Sequence, residues 1–340
     1  MSAAPPVVVV GIDNGATKNN ATVLTLDGRY LVDRMHEVPS RVAEGPAAAV
    51  EAMVQAMEIA LRAAGVTLDA VAAVGLDTPG PATATGVISA QGATNFAQPA
   101  WRGFDVRTAL ETRVGRPVVY NNDGNAAALY AHHVHFGELG AVRSSITAVV
   151  GTGLGGGVIE GGRAIRGASG QAGELGHIVI PLDGLLDEDQ PVPTCACGLA
   201  GDVESIASLT GISRNLLPYW LTRFPDHPLG RVPPDAAAKS VRGLGESGDE
   251  LARCLFEQQA MALGRLFSIA ANFTDPAAYF VGGGVVEAAP GFRDWFLEQV
   301  RSHTSLRTEQ AAVAEFALVP DLDMAGARGS AVAALALLRS

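Results

Sequence analysis

The chain has 340 residues, a formal net charge of −11 and 40 glycines. That length predicts roughly two domains of about 100–200 residues each, and 48% apolar with 17% charged residues describes a globular chain, not a disordered one. The acidic balance excludes sequence-independent nucleic-acid binding, which needs a basic face, and three cysteines, two of them close together, exclude a disulfide framework.

The apolar run Val7–Val10 is far too short for a membrane span and lacks the charged start of a signal peptide. The apolar tract near the C-terminus is also too short. A cytoplasmic protein with no membrane partner is expected. Val7–Ile12 reads as a buried strand ending in the turn signal Asp13-Asn14-Gly15. Asn20–Leu26 is β-rich, Asp27-Gly28 marks a hairpin turn, and Tyr30–Val38 returns. Ala47–Ala64 is helical and closed by Gly65. A strand at Ala70–Leu76, a helix at Phe104–Val114, a strand at Pro117–Tyr120 and a helix at Asn125–Phe136 follow. Ser145–Val150 is a strand running into Gly151–Gly157, and a hairpin-like pair turns at Gly161-Gly162. Pro181–Pro193 reads as loop. Later helices are expected over Asp249–Phe273, Phe292–Ser302 and Met324–Leu338, alternating with strands Ala278–Val281 and Glu315–Val319. Hairpins followed by βαβ units, occurring twice, predict an α/β protein with two related domains. The expected division is a smaller α/β domain over 1–120, joined by the C-terminal helix 324–340, and a larger one over 121–323.

Three strand ends run into glycine-rich loops. Asp13-Asn14-Gly15-Ala16-Thr17-Lys18 puts an acid at a strand end before a tight turn of small residues. Such turns expose backbone N–H groups that cradle phosphate, Thr17 adds a hydroxyl, and Asp13 can hold a hydrated magnesium ion. Gly151-Thr152-Gly153-Leu154-Gly155-Gly156-Gly157 contains G-x-G-x-x-G, but strand and turn follow it where the dinucleotide fingerprint requires a helix. Val281-Gly282-Gly283-Gly284-Val285 is the third. Neither of the two lysines, Lys18 and Lys239, lies in a P-loop. Together the three loops point to a nucleotide.

Asn121-Asn122-Asp123-Gly124-Asn125 lies between a predicted strand and a predicted helix, where an aspartate caps the helix or acts as a catalytic base. Glu174 and His177 sit three positions apart among small residues, as a surface loop pair or as ligands for vicinal sugar hydroxyls. Cys195-Ala196-Cys197 supplies two thiolates within reach of one ion. His177 is a candidate third ligand and Asp202 the nearest candidate for the fourth, giving a structural zinc site. Cys254 falls in a predicted helix and is assigned to the core. His132-His133-Val134-His135 places His132 and His135 on one helical face and is read as a solvated helix end rather than a metal site.

In these motifs, and over nearly its whole length in order, the chain resembles the ROK family of sugar kinases within the actin-like ATPase superfamily. The family opening G-x-D-I-G-G-T-K appears as Gly11-Ile12-Asp13-Asn14-Gly15-Ala16-Thr17-Lys18. The P-G-P loop appears as Pro79-Gly80-Pro81, the sugar-loop asparagine as Asn95 ahead of Trp101, and the Asn-Asp pair as Asn122-Asp123. The long signature runs from Gly151-Thr152-Gly153 to Glu174-Leu175-Gly176-His177, and the adenosine loop is Gly282-Gly283-Gly284. The family zinc motif appears at Cys195 to Glu204, with Asp202 replacing its last cysteine.

The resemblance implies two actin-like (ribonuclease H-like) domains, each a mixed sheet flanked by helices, with an interdomain cleft where sugar and ATP meet. It implies Asp123 as the base at a sugar hydroxyl, usually that on C6, with Asn95, Asn122, Glu174, His177 and Glu204 orienting the sugar. Asp13, Gly15, Thr17, Lys18, Gly151, Thr152, Gly153, Gly283 and Gly284 would serve ATP and Mg²⁺. Zinc would take His177, Cys195, Cys197 and the substituted Asp202. A homodimer or homotetramer is implied. Glucose is the expected substrate; allose, an N-acetylated amino sugar and a C7-cyclitol are the alternatives. A sugar-sensing ROK repressor is the reading from another class; only about ten residues precede Asp13, leaving no room for its helix-turn-helix.

Overall fold

The computed structural model describes residues 6–90 and 96–339. Its strands are β1 (Val8–Asn14), β2 (Lys18–Thr25), β3 (Val38–Pro39), β4 (Val71–Thr78), β5 (Val118–Asn122), β6 (Ser144–Val150), β7 (Leu154–Glu160), β8 (Arg163–Ala164), β9 (Ala278–Gly283) and β10 (Glu315–Leu318). Its helices are α1 (Pro46–Ala64), α2 (Val106–Val114), α3 (Asp123–Phe136), α4 (Val203–Ala207), the single turn α5 (Leu209–Gly211), α6 (Leu217–Arg223), α7 (Pro234–Glu246), α8 (Glu250–Thr274), α9 (Pro290–Ser302), the single turn α10 (Thr308–Ala311) and α11 (Leu322–Leu337). The strands form two mixed sheets, in the orders β3-β2-β1-β4-β5 and β10-β9-β6-β7-β8.

The chain groups into two compact units. One holds the residues up to Val142, Gly157–Gly173 and Pro320 onward; the other holds Arg143–Gly156 and Glu174–Val319. Helix α3, headed by Asp123, therefore groups with the first sheet.

In the first unit, β1 pairs antiparallel with β2 and parallel with β4, which pairs parallel with β5. Strand alternation divides the side chains between two faces. Val8, Val10 and Ile12 of β1, with Val74 and Leu76 of β4, join α1, α2 and Trp101 in one core. Val9 and Ala73 face the other way, toward α11. On that second face the next residues are Gly11 and Gly75. A Cβ at Gly11 would lie 1.9 Å from the Ala327 carbonyl oxygen, and one at Gly75 would lie 1.8 Å from that of Ser330. Small residues on both partners thus let α11 lie directly on the strands. Helix α1 begins with Pro46 at its first turn and ends at left-handed Gly65, the usual asymmetry of helix ends.

In the second unit β9 runs parallel to both β6 and β10, and every β9 residue is buried. Phe267 of α8 packs on Tyr279, which stacks on Phe316 at 4.8 Å. Among the described residues, no helix is long and apolar enough to cross a membrane.

Three readings need correction. Tyr30–Val38 is not a full return strand: it yields one bridge, Leu24 to Tyr30, and the two-residue β3. Pro39 donates no backbone hydrogen bond, so the ladder stops at the sheet edge. His132 is not at a solvated helix end; it is 2% exposed, with Nε2 2.9 Å from the Gly140 carbonyl oxygen. The segment 203–246 carries four helices that the sequence reading does not place: α4 and α5 are five and three residues long, too short to show a helical period, and α6 and α7 carry Pro218 and Pro234 in their first turns, where a proline reads as a break.

Candidate active site

The candidate residues fall into one group in each unit. In the first unit, the parallel register sets Asp13 opposite Asp77, two residues beyond the Gly11–Gly75 pair and on the same α11 face. Asp77 is wholly buried, and its Oδ2 accepts a 2.8 Å hydrogen bond from the Ser330 hydroxyl. Burial raises the Asp13 carboxyl from 3.8 to about 6, opposed by the adjoining Asp77 carboxyl and assisted by the charge of Asp123. Burial, and then the charge of Asp13, push Asp77 well above the ordinary range.

Asp123 opens α3. Asn122 rather than Asp123 is the cap: its Oδ1 accepts from the Asn125 N–H at 2.8 Å. Asp123 itself accepts from Gly124 N–H at 2.8 Å. Its carboxyl reaches solvent from a recess, and the enclosing protein raises it above 3.8, partly offset by the backbone donors. The helix N-terminus favours its charged form. Gly15 closes the β1–β2 turn by donating to the Lys18 carbonyl at 2.9 Å, leaving Ala16 and Thr17 exposed. Lys18 pairs with Glu37.

Folding stability should carry the mark of this acidic group. Asp13 and Asp77 hold protons more tightly in the native state than in the unfolded chain, so stability is expected to fall as pH rises from about 4 through 6. Asp77→Asn should flatten that fall and raise the thermal midpoint at pH 7–8 in metal-free buffer. An unchanged pH–stability curve would contradict the assignment.

In the second unit, the loop from β6 to β7 is fixed by backbone bonds. Gly151 N–H donates to Gly153 O at 2.9 Å, Leu209 N–H to Gly151 O at 2.9 Å, and the Thr210 hydroxyl to Thr152 O at 2.8 Å. Gly283, at φ +101°, lies where a Cβ would meet the Val150 carbonyl oxygen at 1.8 Å, so the parallel β6–β9 contact requires glycine there. Gly151, Thr152 and Gly284 line one cavity of about 280 Å³ with Lys239, Arg242 and Phe256. Its apolar walls and basic rim suit an adenosine and its phosphates. The sequence reading misses Lys239, Arg242 and Phe256; none lies in a glycine loop.

Glu204 serves two neighbours: Oε2 accepts from Leu154 N–H at 2.9 Å, and Oε1 lies 3.3 Å from the Cys195 thiol. His177, Cys195, Cys197 and Asp202 each offer a ligand atom, all within 4.8 Å of one another. His177 Nδ1 is 3.4 Å from Asp202 Oδ2 and 3.6 Å from Cys197 Sγ. These separations are those of ligands around one tetrahedral zinc. The buried Asp202 also caps α4, its Oδ1 accepting from Ser205 N–H at 3.1 Å, so Oδ2 is held toward the other ligands. Burial, with Asp202 and Glu204 alongside, pushes the Cys195 thiol up to about 12, so its thiolate requires a cation. The residues fit the metal. Glu174, three residues before His177, lies in the same unit. Asn95 lies outside the described residues; Trp101, six positions on, is fully buried and donates its indole N–H to Val42 O at 3.0 Å.

The ROK family model matches residues 9–337. A glucokinase of Streptomyces coelicolor is 34% identical over 289 residues, covering 82% of each chain. A ROK hexokinase structure from Thermus thermophilus is 32% identical with a TM-score of 0.74, covering 98% of this chain and 99% of that one. A ROK family glucokinase from Streptomyces griseus in complex with glucose and AMPPNP is 29% identical with a TM-score of 0.67, covering 96% and 99%. The two mixed sheets flanked by helices match these kinase structures of the actin-like ATPase fold.

Proposed function

The chain belongs to the ROK family, and from that premise we infer that it is an ATP-dependent hexose kinase, a phosphotransferase acting on an alcohol. Glucose is the substrate this reading favours, with C6 its acceptor position. The observation that carries it is Asp123: a raised, water-accessible carboxyl at a helix head, sharing its unit with a second acid and a phosphate-type turn. In the proposed step, the Asp123 carboxylate takes the proton of the C6 hydroxyl. The sugar oxygen attacks the γ-phosphorus in line, the β–γ bridging bond breaks, and ADP leaves. Asn122 holds the start of α3, while Glu174, His177 and Asn95 would bind the remaining hydroxyls. The Gly15–Thr17 turn and the Gly151–Gly153 loop would receive the phosphates. Lys239 would face them from the 280 Å³ cavity. Asp13 would hold hydrated magnesium, since burial beside two other acids leaves its charge without a cation. When bound, that ion neutralises phosphate charge. A cytoplasmic enzyme fits three free cysteines, and a homodimer or homotetramer is the proposed assembly.

The test is ADP formation across glucose, allose, N-acetylmannosamine and a C7-cyclitol. Strong dependence on glucose is expected; a site that hydrogen-bonds each hydroxyl can reject a mismatched analogue by about 10⁴. Turnover with none of them would overturn the reading.

We also propose zinc at His177, Cys195, Cys197 and Asp202, where it would hold the two cysteines beside Glu204 and the loop that Glu204 supports. Elemental analysis should find about one zinc per chain. Asp202→Ala should lose it and lower the thermal midpoint, whereas Asp202→Cys should retain it. Equal zinc in the wild type and the alanine variant would remove Asp202 from the ligand set.

A further inference from the structure

A separate cavity of about 260 Å³ lies in the first unit, lined by β5 (Val119, Asn121), β8 and its flank (Arg163, Arg166), and the C-terminal half of α11 (Ala333, Ala336). Its chemistry is one-sided. Both charged residues lining it are arginines, and no acidic residue among the described residues lines it. Arg166 is partly buried, and its guanidinium donates to Asn121 Oδ1 at 3.0 Å. No ion pair is present for Arg166 or Arg163 among the described residues. Burial alone shifts Arg166, downward, so no nearby anion offsets its desolvation. Asn121 is 3% exposed and its amide Nδ2 has no hydrogen-bond partner. A buried donor without an acceptor costs about 1–3 kcal/mol. Two arginines and an orphan amide donor round a small cavity form a receptor that lacks its acceptor.

We propose that Arg166, Arg163 and Asn121 bind a small oxyanion, a carboxylate or a phosphate monoester, in this cavity. The planar guanidinium of Arg166 takes two of its oxygens side by side, and the Asn121 amide donates to a further lone pair. The ligand lies apart from the glycine loops, which form none of the cavity's lining. Asn121 is the penultimate residue of β5, two before Asp123 at the head of α3, so occupancy bears on the placement of the proposed base. The site stands on these contacts whatever the kinase's sugar.

Isothermal titration tests it, with inorganic phosphate and with succinate as separate probes. Both runs use full-length protein saturated with Mg²⁺ and a non-hydrolysable ATP analogue, so that the nucleotide's own phosphate positions are filled. One site is expected for at least one probe, and the stronger probe tells phosphate from carboxylate. Arg166→Gln should weaken it at least tenfold. Asn121→Asp keeps the side-chain shape but supplies Arg166 with an internal carboxylate, and should abolish binding even though both arginines remain. Arg62→Gln, an exposed change on α1, should leave it unchanged. Absence of binding in the wild type, or equal binding in Asn121→Asp, would overturn the proposal. Glucose phosphorylation measured on the same samples reports separately on the kinase reading.

Discussion

Asp123→Asn is expected to lower kcat by about 10²–10⁴, the usual worth of a positioned general base, while sugar affinity stays within a few-fold. Asparagine has nearly the same shape and lets Asn122 go on capping α3 through its bond to the Asn125 N–H, so a loss of turnover reports the proton transfer and not the fold. The wild-type pH profile should agree. The base works only when ionised, so kcat should be lost as pH falls through a value above the ordinary 3.8, because the surrounding protein raises the carboxyl. That acidic limb should vanish from the residual activity of the asparagine variant. Calorimetry with glucose and a coupled assay with ATP give both numbers. Equal turnover in the two proteins would take Asp123 out of the base role.

Gly329→Ala should be the most destabilising single-methyl change in the first unit. A Cβ at Gly329 would stand 1.7 Å from the Ala126 carbonyl oxygen and 2.4 Å from its carbon. The obstacle is helix backbone, which cannot turn aside as a side chain can. Helix α11 would have to lift from α3, and with it the contacts of Gly11 and Gly75 beneath it. A loss of about 3 kcal/mol is expected, the upper part of the range for overpacking, read as a lower urea midpoint at unchanged slope. Gly243→Ala is the control. It lies inside α7 with nothing within 4 Å of an added Cβ, and should gain about 0.5–1 kcal/mol from the better helix propensity of alanine. Equal effects at the two glycines would show that α11 is not held against α3 as described.

The parts of the site that depend on neighbours along the chain were legible in the sequence. The turn after Asp13, the turn Gly151–Gly153, the glycines that end β9 and the Asn-Asp pair each combine a strand end with residues suited to tight backbone, and the structure has turns or element ends at all of them; Leu154–Gly157, read as the rest of a glycine loop, is instead the first half of β7. The Cys195–Cys197 pair and His177, 18 residues earlier, also meet, with Asp202 completing the group. Partners set by sheet register or helix packing were not legible. Asp77 looks unremarkable in sequence and becomes a partner of Asp13 only when β4 lies parallel to β1. Lys239 and Arg242 sit on the amphipathic α7 and reach the nucleotide-type cavity only through tertiary packing. His132 reads as polar surface until Gly140 returns to accept from its ring. Local turn chemistry is written in adjacent residues, whereas these contacts span folded distance.

³¹P NMR of the product formed from ATP, Mg²⁺ and glucose decides whether the enzyme phosphorylates the sugar. Stoichiometric conversion of the ATP γ-phosphate to a phosphomonoester coupled to the C6 protons of glucose is expected, with ADP as the other product. ADP with inorganic phosphate alone, or no change in the ATP signals at all, would contradict it.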